Sequence, residues 1–220
     1  QLAQNSYIAK VFGIMFAGLS VTAGAALFTV TNPFMLNLIY SSPLIIYALL
    51  IAEFILVISL SARIEKIKYG TALIMYFVYA VVNGLTLSTI FFAYDLGTIG
   101  ISFAVAAITF GVMSVYGIIT QNDLTKIGSM LMMALVGGVV ALLLNMFIRS
   151  SGFDLLISFV LVIVFVGLVA YDTQKLKDYY YFTQGNIEAQ RKIGIMGALN
   201  LYLDFVNIFL YLLRIFGNKK

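Results

Sequence analysis

The 220-residue chain contains no cysteine and no histidine. Without cysteine it has no disulfide scaffold, no thiol nucleophile and no zinc or iron–sulfur thiolate site. Without histidine it has no Ser-His-Asp triad, no imidazole base and no imidazole metal site. Charge is scarce as well, at 10% of residues, against about 25% in a soluble domain. What is abundant is apolar: 62% of residues are hydrophobic, and the mean hydropathy is +1.05. A soluble globule of this length leaves too much surface in water to hide that composition. Lipid is therefore the expected solvent, and disorder or a fibrous repeat is excluded. No phosphate-binding loop, dinucleotide fingerprint, fixed-period repeat or low-complexity run is present. The net charge of +4 sits in connections and the tail, so it reports orientation in a membrane rather than nucleic-acid binding.

A helix needs about 20 mostly apolar residues to cross about 30 Å of hydrocarbon. Seven stretches qualify: Val11–Val30, Leu44–Ala62, Tyr69–Tyr94, Ile99–Thr120, Ile127–Ile148, Leu155–Tyr171 and Ile193–Phe216. The expected fold is an all-α polytopic membrane protein forming one transmembrane domain over residues 1–220. Both prolines, Pro33 and Pro43, lie between the first two spans, and the short apolar stretch Phe34–Tyr40 is expected at the interface. The longest polar stretch, Asp172–Lys192, is expected to be a loop. The chain begins with Gln1 rather than Met, so a trimmed N-terminal tail is expected.

With seven spans, one side carries nine basic residues: Lys10, Arg63, Lys66, Lys68, Lys126, Lys175, Lys177, Arg191 and Lys192. The other side carries four: Arg149, Arg214, Lys219 and Lys220. The positive-inside rule then puts the N-terminus in the cytoplasm and the C-terminus outside. A re-entrant last segment would satisfy the charge rule better. Length favours a full crossing, which is the expectation here.

An ionised carboxylate at membrane depth costs at least about 2.5–3.5 kcal/mol, and intramembrane ionisable residues are functional by default. Three acids fall within or at the end of apolar stretches: Glu53, Asp172 and Asp204. Asp204 shares a helical stripe with Asn200, Asn207, Tyr211 and Arg214, a polar seam on an apolar helix. Its plainer alternative is a neutral acid held by one interhelical hydrogen bond. Asp172 can equally be an interfacial residue paired with Lys175. Glu53 lies midway along its span. A second stripe, Tyr76, Tyr79, Asn83 and Thr86, gains meaning if it faces the Asp204 seam. Candidate pore-lining residues are thus Glu53, Asn83, Thr86, Asn200, Asn207 and Tyr211.

The stretch Gly197-Ala198-Leu199-Asn200-Leu201-Tyr202-Leu203-Asp204-Phe205-Val206-Asn207-Ile208-Phe209, with Leu212-Leu213-Arg214, resembles the C-terminal signature of the Bax inhibitor family, also called transmembrane Bax inhibitor motif proteins. Asn83-Gly84-Leu85-Thr86-Leu87-Ser88 is similar to the family's third-helix motif, Tyr171-Asp172-Thr173-Gln174 to the end of its sixth helix, and Glu53 to an acid in its second. The resemblance covers essentially the whole chain and points to a bacterial inner-membrane member. It implies seven helices, the last one central and wrapped by the other six, and a passive, pH-sensitive calcium leak. It implies that Asp172 and Asp204 form a proton-sharing pair, which would also meet the calcium ion. It gives a second-helix arginine, for which Arg63 is the candidate, the role of latch. The chain's long Lys175–Lys192 connection is a departure from compact members and puts in doubt how the two carboxylates meet.

Calcium prefers hard oxygen ligands, which this chain offers without soft competitors. No resident cofactor is expected; calcium enters as a permeant or transiently bound ion. The expected partners are the bilayer, calcium ions and protons, with no nucleic acid. Two other readings stay open. One is a non-conducting protein that binds and restrains a membrane partner such as a quality-control protease. The other, an intramembrane aspartyl protease, lacks the glycine usually found beside such aspartates. A non-enzyme is expected.

Overall fold

The computed structural model describes residues 2–217, and every regular element in that range is a helix. In chain order they are α1 (Leu2–Thr31), α2 (Pro33–Tyr40), α3 (Pro43–Arg63), α4 (Tyr69–Leu87), α5 (Ile90–Ala93), α6 (Leu96–Ile119), α7 (Thr125–Ile148), α8 (Ser151–Phe182) and α9 (Ile187–Phe216). Seven helical segments are long and apolar enough to cross a membrane, with α4 and α5 counted together. They coincide with the seven apolar stretches, so the chain is a multi-pass membrane protein. Lys219 and Lys220, counted above for orientation, and Gln1, from which a trimmed tail was expected, lie outside the described residues.

Local chemistry explains the boundaries. Each proline occupies the first helical turn, where no amide hydrogen is needed. Pro33 follows Asn32, whose side chain accepts from the Phe34 and Met35 amides; Pro43 follows Ser42, which caps Leu44. Phe34–Tyr40, too short to cross, is therefore an ordered helix. Asp95 caps α6 by accepting from the Thr98 amide at 2.9 Å and the Thr98 hydroxyl at 2.5 Å. Those donors hold its carboxyl below the ordinary carboxylate range. Asp123, before α7, is lowered the same way by the Thr125 hydroxyl and amide.

The polar stretch Asp172–Lys192 corrects the sequence reading. Most of it is helix: α8 runs on to Phe182 and α9 already begins at Ile187. Only a four-residue turn remains, and Gly185 supplies its left-handed residue (φ 85°). Lysine, glutamine and tyrosine are compatible with a helix that continues past its apolar part. The long connection is thus two helical extensions rather than a loop.

The described residues pack as two compact units, 2–93 with 178–202, and 94–177 with 203–217. In the first, α1 and α4 meet backbone to backbone: Gly84 lies against the Thr22 carbonyl and Gly18 beneath Tyr76, so neither site has room for a Cβ. In the second, α7 and α8 interlock through Gly128 under Tyr171, Gly167 over Leu131 and Gly138 under Leu161. Phe205 of α9 meets Phe103 and Phe110 of α6 edge-on. Burial ranks the spans. In the apolar window of α9, 67% of residues are buried, against 6% for α3 and 11% for α7. The last helix is the most enclosed, as the resemblance implies, while α3 and α7 expose large apolar side chains such as Phe54 and Phe147 that suit hydrocarbon.

Candidate functional site

Asp172 and Asp204 meet within the second unit. Asp172 is half-buried on α8; Asp204, on α9, is 4% exposed. Their carboxyl groups lie close enough for the charge of one to act on the other. Asp204 Oδ2 is buried and receives no N–H or O–H donor. An ionised carboxylate has only acceptor sites, so two of them brought close repel unless a proton or a cation lies between them. Lys175, one turn beyond Asp172, acts on its charge, and its ammonium lies 5.3 Å from the Tyr171 ring centre. The long connection does not hold the acids apart as a loop would, because α8 and α9 are joined by a four-residue turn.

The first unit holds a separate polar chain. Asn83 Nδ2 on α4 donates to Glu53 Oε2 on α3 at 3.2 Å. Tyr202 Oη on α9 donates to Asn83 Oδ1 at 2.8 Å and lies 2.6 Å from Thr22 Oγ1 on α1. Thr22 also reaches the Ala80 carbonyl at 2.8 Å. Four helices are thereby joined by side chains in sequence. Tyr76 and Tyr79 close over the Tyr202 ring edge-on, at 6.1 and 5.6 Å. Thr86 lies beside the Glu53 carboxyl, with its hydroxyl donating to the Val82 carbonyl. Glu53 Oε1 has no hydrogen-bonding partner.

The α4 stripe therefore faces Tyr202, whereas the sequence reading tied its interest to the Asp204 seam. Two residues along a helix is about 200° of rotation, so Tyr202 and Asp204 point to different faces of α9. Sequence reasoning missed both Tyr202 and Thr22. A signal existed for Thr22: with Ser20 it is one of two hydroxyls among Gly18, Gly24, Ala25 and Ala26, where another helix can come close.

The remaining candidates divide. Asn200 is half-buried on α9 in the first unit. Asn207 is half-buried in the second, its amide donating to the Leu203 carbonyl of its own helix at 2.8 Å. Tyr211 stacks on Phe165 at 6.0 Å, and the Arg214 guanidinium lies 5.7 Å from its ring centre. Arg214 pairs with Asp154 at 3.3 Å, a partner the sequence reading did not assign. Arg63 ends α3, exposed, in the first unit. Among the described residues no three carboxylates gather as a metal cluster.

Comparison with known proteins is consistent over the whole length. The family model described as inhibitor of apoptosis-promoting Bax1 matches residues 4–220. An inner membrane protein of Escherichia coli K12, YbhL, is 43% identical over 217 residues, covering 98% of this chain and 93% of its own. A protein of Borreliella burgdorferi is 42% identical over 219 residues, covering 100% and 94%. A protein of Rickettsia prowazekii is 37% identical over 218 residues, covering 97% and 90%. With its seven apolar helices, its most buried helix last and a family match from residue 4 to residue 220, this chain belongs to the Bax inhibitor family of multi-pass membrane proteins.

Proposed function

We propose that this protein is a pH-sensitive calcium leak of a bacterial inner membrane, a passive pathway that the Asp172/Asp204 pair opens and closes. The observation that carries the reading is the proximity of those two carboxyl groups, one of them buried at 4% exposure in a membrane helix. A buried ionisable residue in a membrane helix points to an ion or proton path by default. Two carboxyl groups in contact titrate as one unit, with apparent constants that belong to the pair. With its proton, the pair is one hydrogen-bonded body. Without it, the pair is a set of hard oxygen ligands suited to calcium. A proton and a calcium ion thus compete for the same oxygens. Arg63 has the latch role that the resemblance gives it. The inner-membrane location follows the name of the Escherichia coli relative.

The test is calcium entry into proteoliposomes loaded with a calcium dye, across pH, for the parent, Asp172→Asn, Asp204→Asn and Arg63→Ala. The parent is expected to conduct, with a flux that changes between about pH 5 and 8, where such a pair titrates. Either aspartate substitution should flatten that change, and Arg63→Ala should raise flux at the alkaline end. Flux indifferent to pH, or none above empty liposomes, refutes the proposal. The second outcome transfers the assignment to a non-conducting protein that acts on a membrane partner.

A further inference from the structure

The first unit contains a second feature that the leak does not use, a cavity of about 1010 Å³. It lies among the first turns of α1, the start of α4, the end of α8 and the turn leading into α9. Its lining includes Tyr7, Lys10, Tyr69, Phe77, Gln190 and Arg191, and no carboxylate. Its chemistry is split. One part is cationic and hydrogen-bonding; the other, continuing along α1 toward Ala17, is apolar or small. From Tyr7 to Ala17 is ten residues, about 15 Å of helix. Gly13 keeps this strip shallow, with open space where its Cβ would be.

Charge and shape point to the ligand. Tyr7 lines the cavity with its ring, its hydroxyl being buried away from any accessible surface. Arg191 is held in place rather than splayed, its guanidinium 5.7 Å from the Tyr69 ring centre. Lys10, one turn beyond Tyr7 on α1, adds a second cation to the lining.

We infer that this cavity binds one anionic phospholipid, its phosphate held by Lys10 and Arg191 and one acyl chain laid along the α1 strip. A free phosphate offers the same acceptor oxygens but leaves the apolar strip bare. Basic pockets between membrane helices are established headgroup sites, and tyrosines favour that depth. An anion here meets two cations with no opposing carboxylate on the lining, so selection against a zwitterionic lipid follows from charge alone.

The test uses the full-length protein in neutral detergent and native mass spectrometry. Phosphatidylglycerol and phosphatidylcholine of matched chains are titrated separately, with and without inorganic phosphate. The parent should retain one phosphatidylglycerol in preference to phosphatidylcholine. Lys10→Ala with Arg191→Ala should lower that affinity about tenfold or more, each cation near a headgroup layer contributing of the order of one such step. Gly13→Leu should block retention while leaving both cations. Lys126→Ala, whose cation lies outside the cavity, should behave as the parent. Circular dichroism and size-exclusion profiles confirm that each variant is folded. Equal retention of the two lipids, or unchanged affinity in the double variant, overturns the inference. Displacement by millimolar inorganic phosphate also overturns it, because the site would then hold a soluble anion. None of these outcomes depends on calcium flux, so the lipid site and the leak stand or fall separately.

Discussion

Replacing Tyr202 by Phe removes one oxygen and keeps the ring that Tyr76 and Tyr79 enclose. That oxygen makes two contacts, 2.6 Å to Thr22 Oγ1 and 2.8 Å to Asn83 Oδ1. Thr22 survives the change, because the Ala80 carbonyl remains 2.8 Å away as an acceptor. Asn83 does not: its Oδ1 loses this donor, and at 6% exposure water does not replace it. An acceptor stranded in a protein interior costs about 1–3 kcal/mol. Measured interhelical hydrogen bonds in membranes average about 0.6 and reach about 1.7 kcal/mol, because the unfolded chain in lipid also finds partners. Together these place Tyr202→Phe at about 1–2 kcal/mol. Thr22→Val leaves the Tyr202–Asn83 bond whole and should cost less than about 1 kcal/mol by the same scale. The assay is equilibrium unfolding in mixed micelles with increasing dodecyl sulfate, followed by helical circular dichroism. There, 1.4 kcal/mol is about a tenfold change in the unfolding constant. If Tyr202→Phe lies within about 0.3 kcal/mol of the parent, or costs less than Thr22→Val, the reasoning from a stranded acceptor fails.

Three other expectations can be read on the same assay. Gly117 abuts the Ala170 carbonyl, so Gly117→Val must part α6 from α8 and should cost about 2 kcal/mol or more, like other overpacked interiors; Gly24→Ala, with open space at the Cβ position, should be nearly neutral. The Asp95 cap has its folded pKa below the unfolded value, so its contribution is complete above the unfolded pKa of about 4 and is lost as pH falls through the folded one. Asp95→Asn should therefore show no pH-dependent loss of this kind below pH 4, and a parent whose stability is flat from pH 5 down to pH 2 contradicts the cap. The exposed Arg214–Asp154 pair should matter little: Asp154→Asn should cost about 0–1 kcal/mol and lose any effect in high salt.

The spans were legible because hydropathy and length act on each segment alone. Asp204 was legible for the same reason, as an acid deep in an apolar helix. Asp172 was not, since an acid at the end of a span has an ordinary interfacial explanation, and only the family motif or the folded pair removes it. The course of Asp172–Lys192 was misread because polarity was taken for a loop. Nothing before Gly185 breaks a helix, and that glycine together with Asn186, whose side chain caps the start of α9, marked the true turn. Tyr202 stayed hidden for another reason. A tyrosine in an apolar helix is unremarkable by itself, and its partners Thr22 and Asn83 come from distant parts of the chain. Hydrogen bonds between spans are properties of pairs, and a single sequence shows only the members.

The glycines between α7 and α8 have a consequence for motion. Gly128 receives Tyr171, Gly167 receives Leu131 and Gly138 receives Leu161, so each helix supplies both notches and teeth. As the residue number rises along one helix it falls along the other, and the three meshings agree on one alignment. A slip of one turn would set all three teeth against filled positions at once. No single substitution re-registers such a pair, because the two unaltered meshings still enforce the original setting. The helices can tilt or separate together, but sliding along each other is closed to them, and any conformational change in this unit must carry α7 and α8 as one piece.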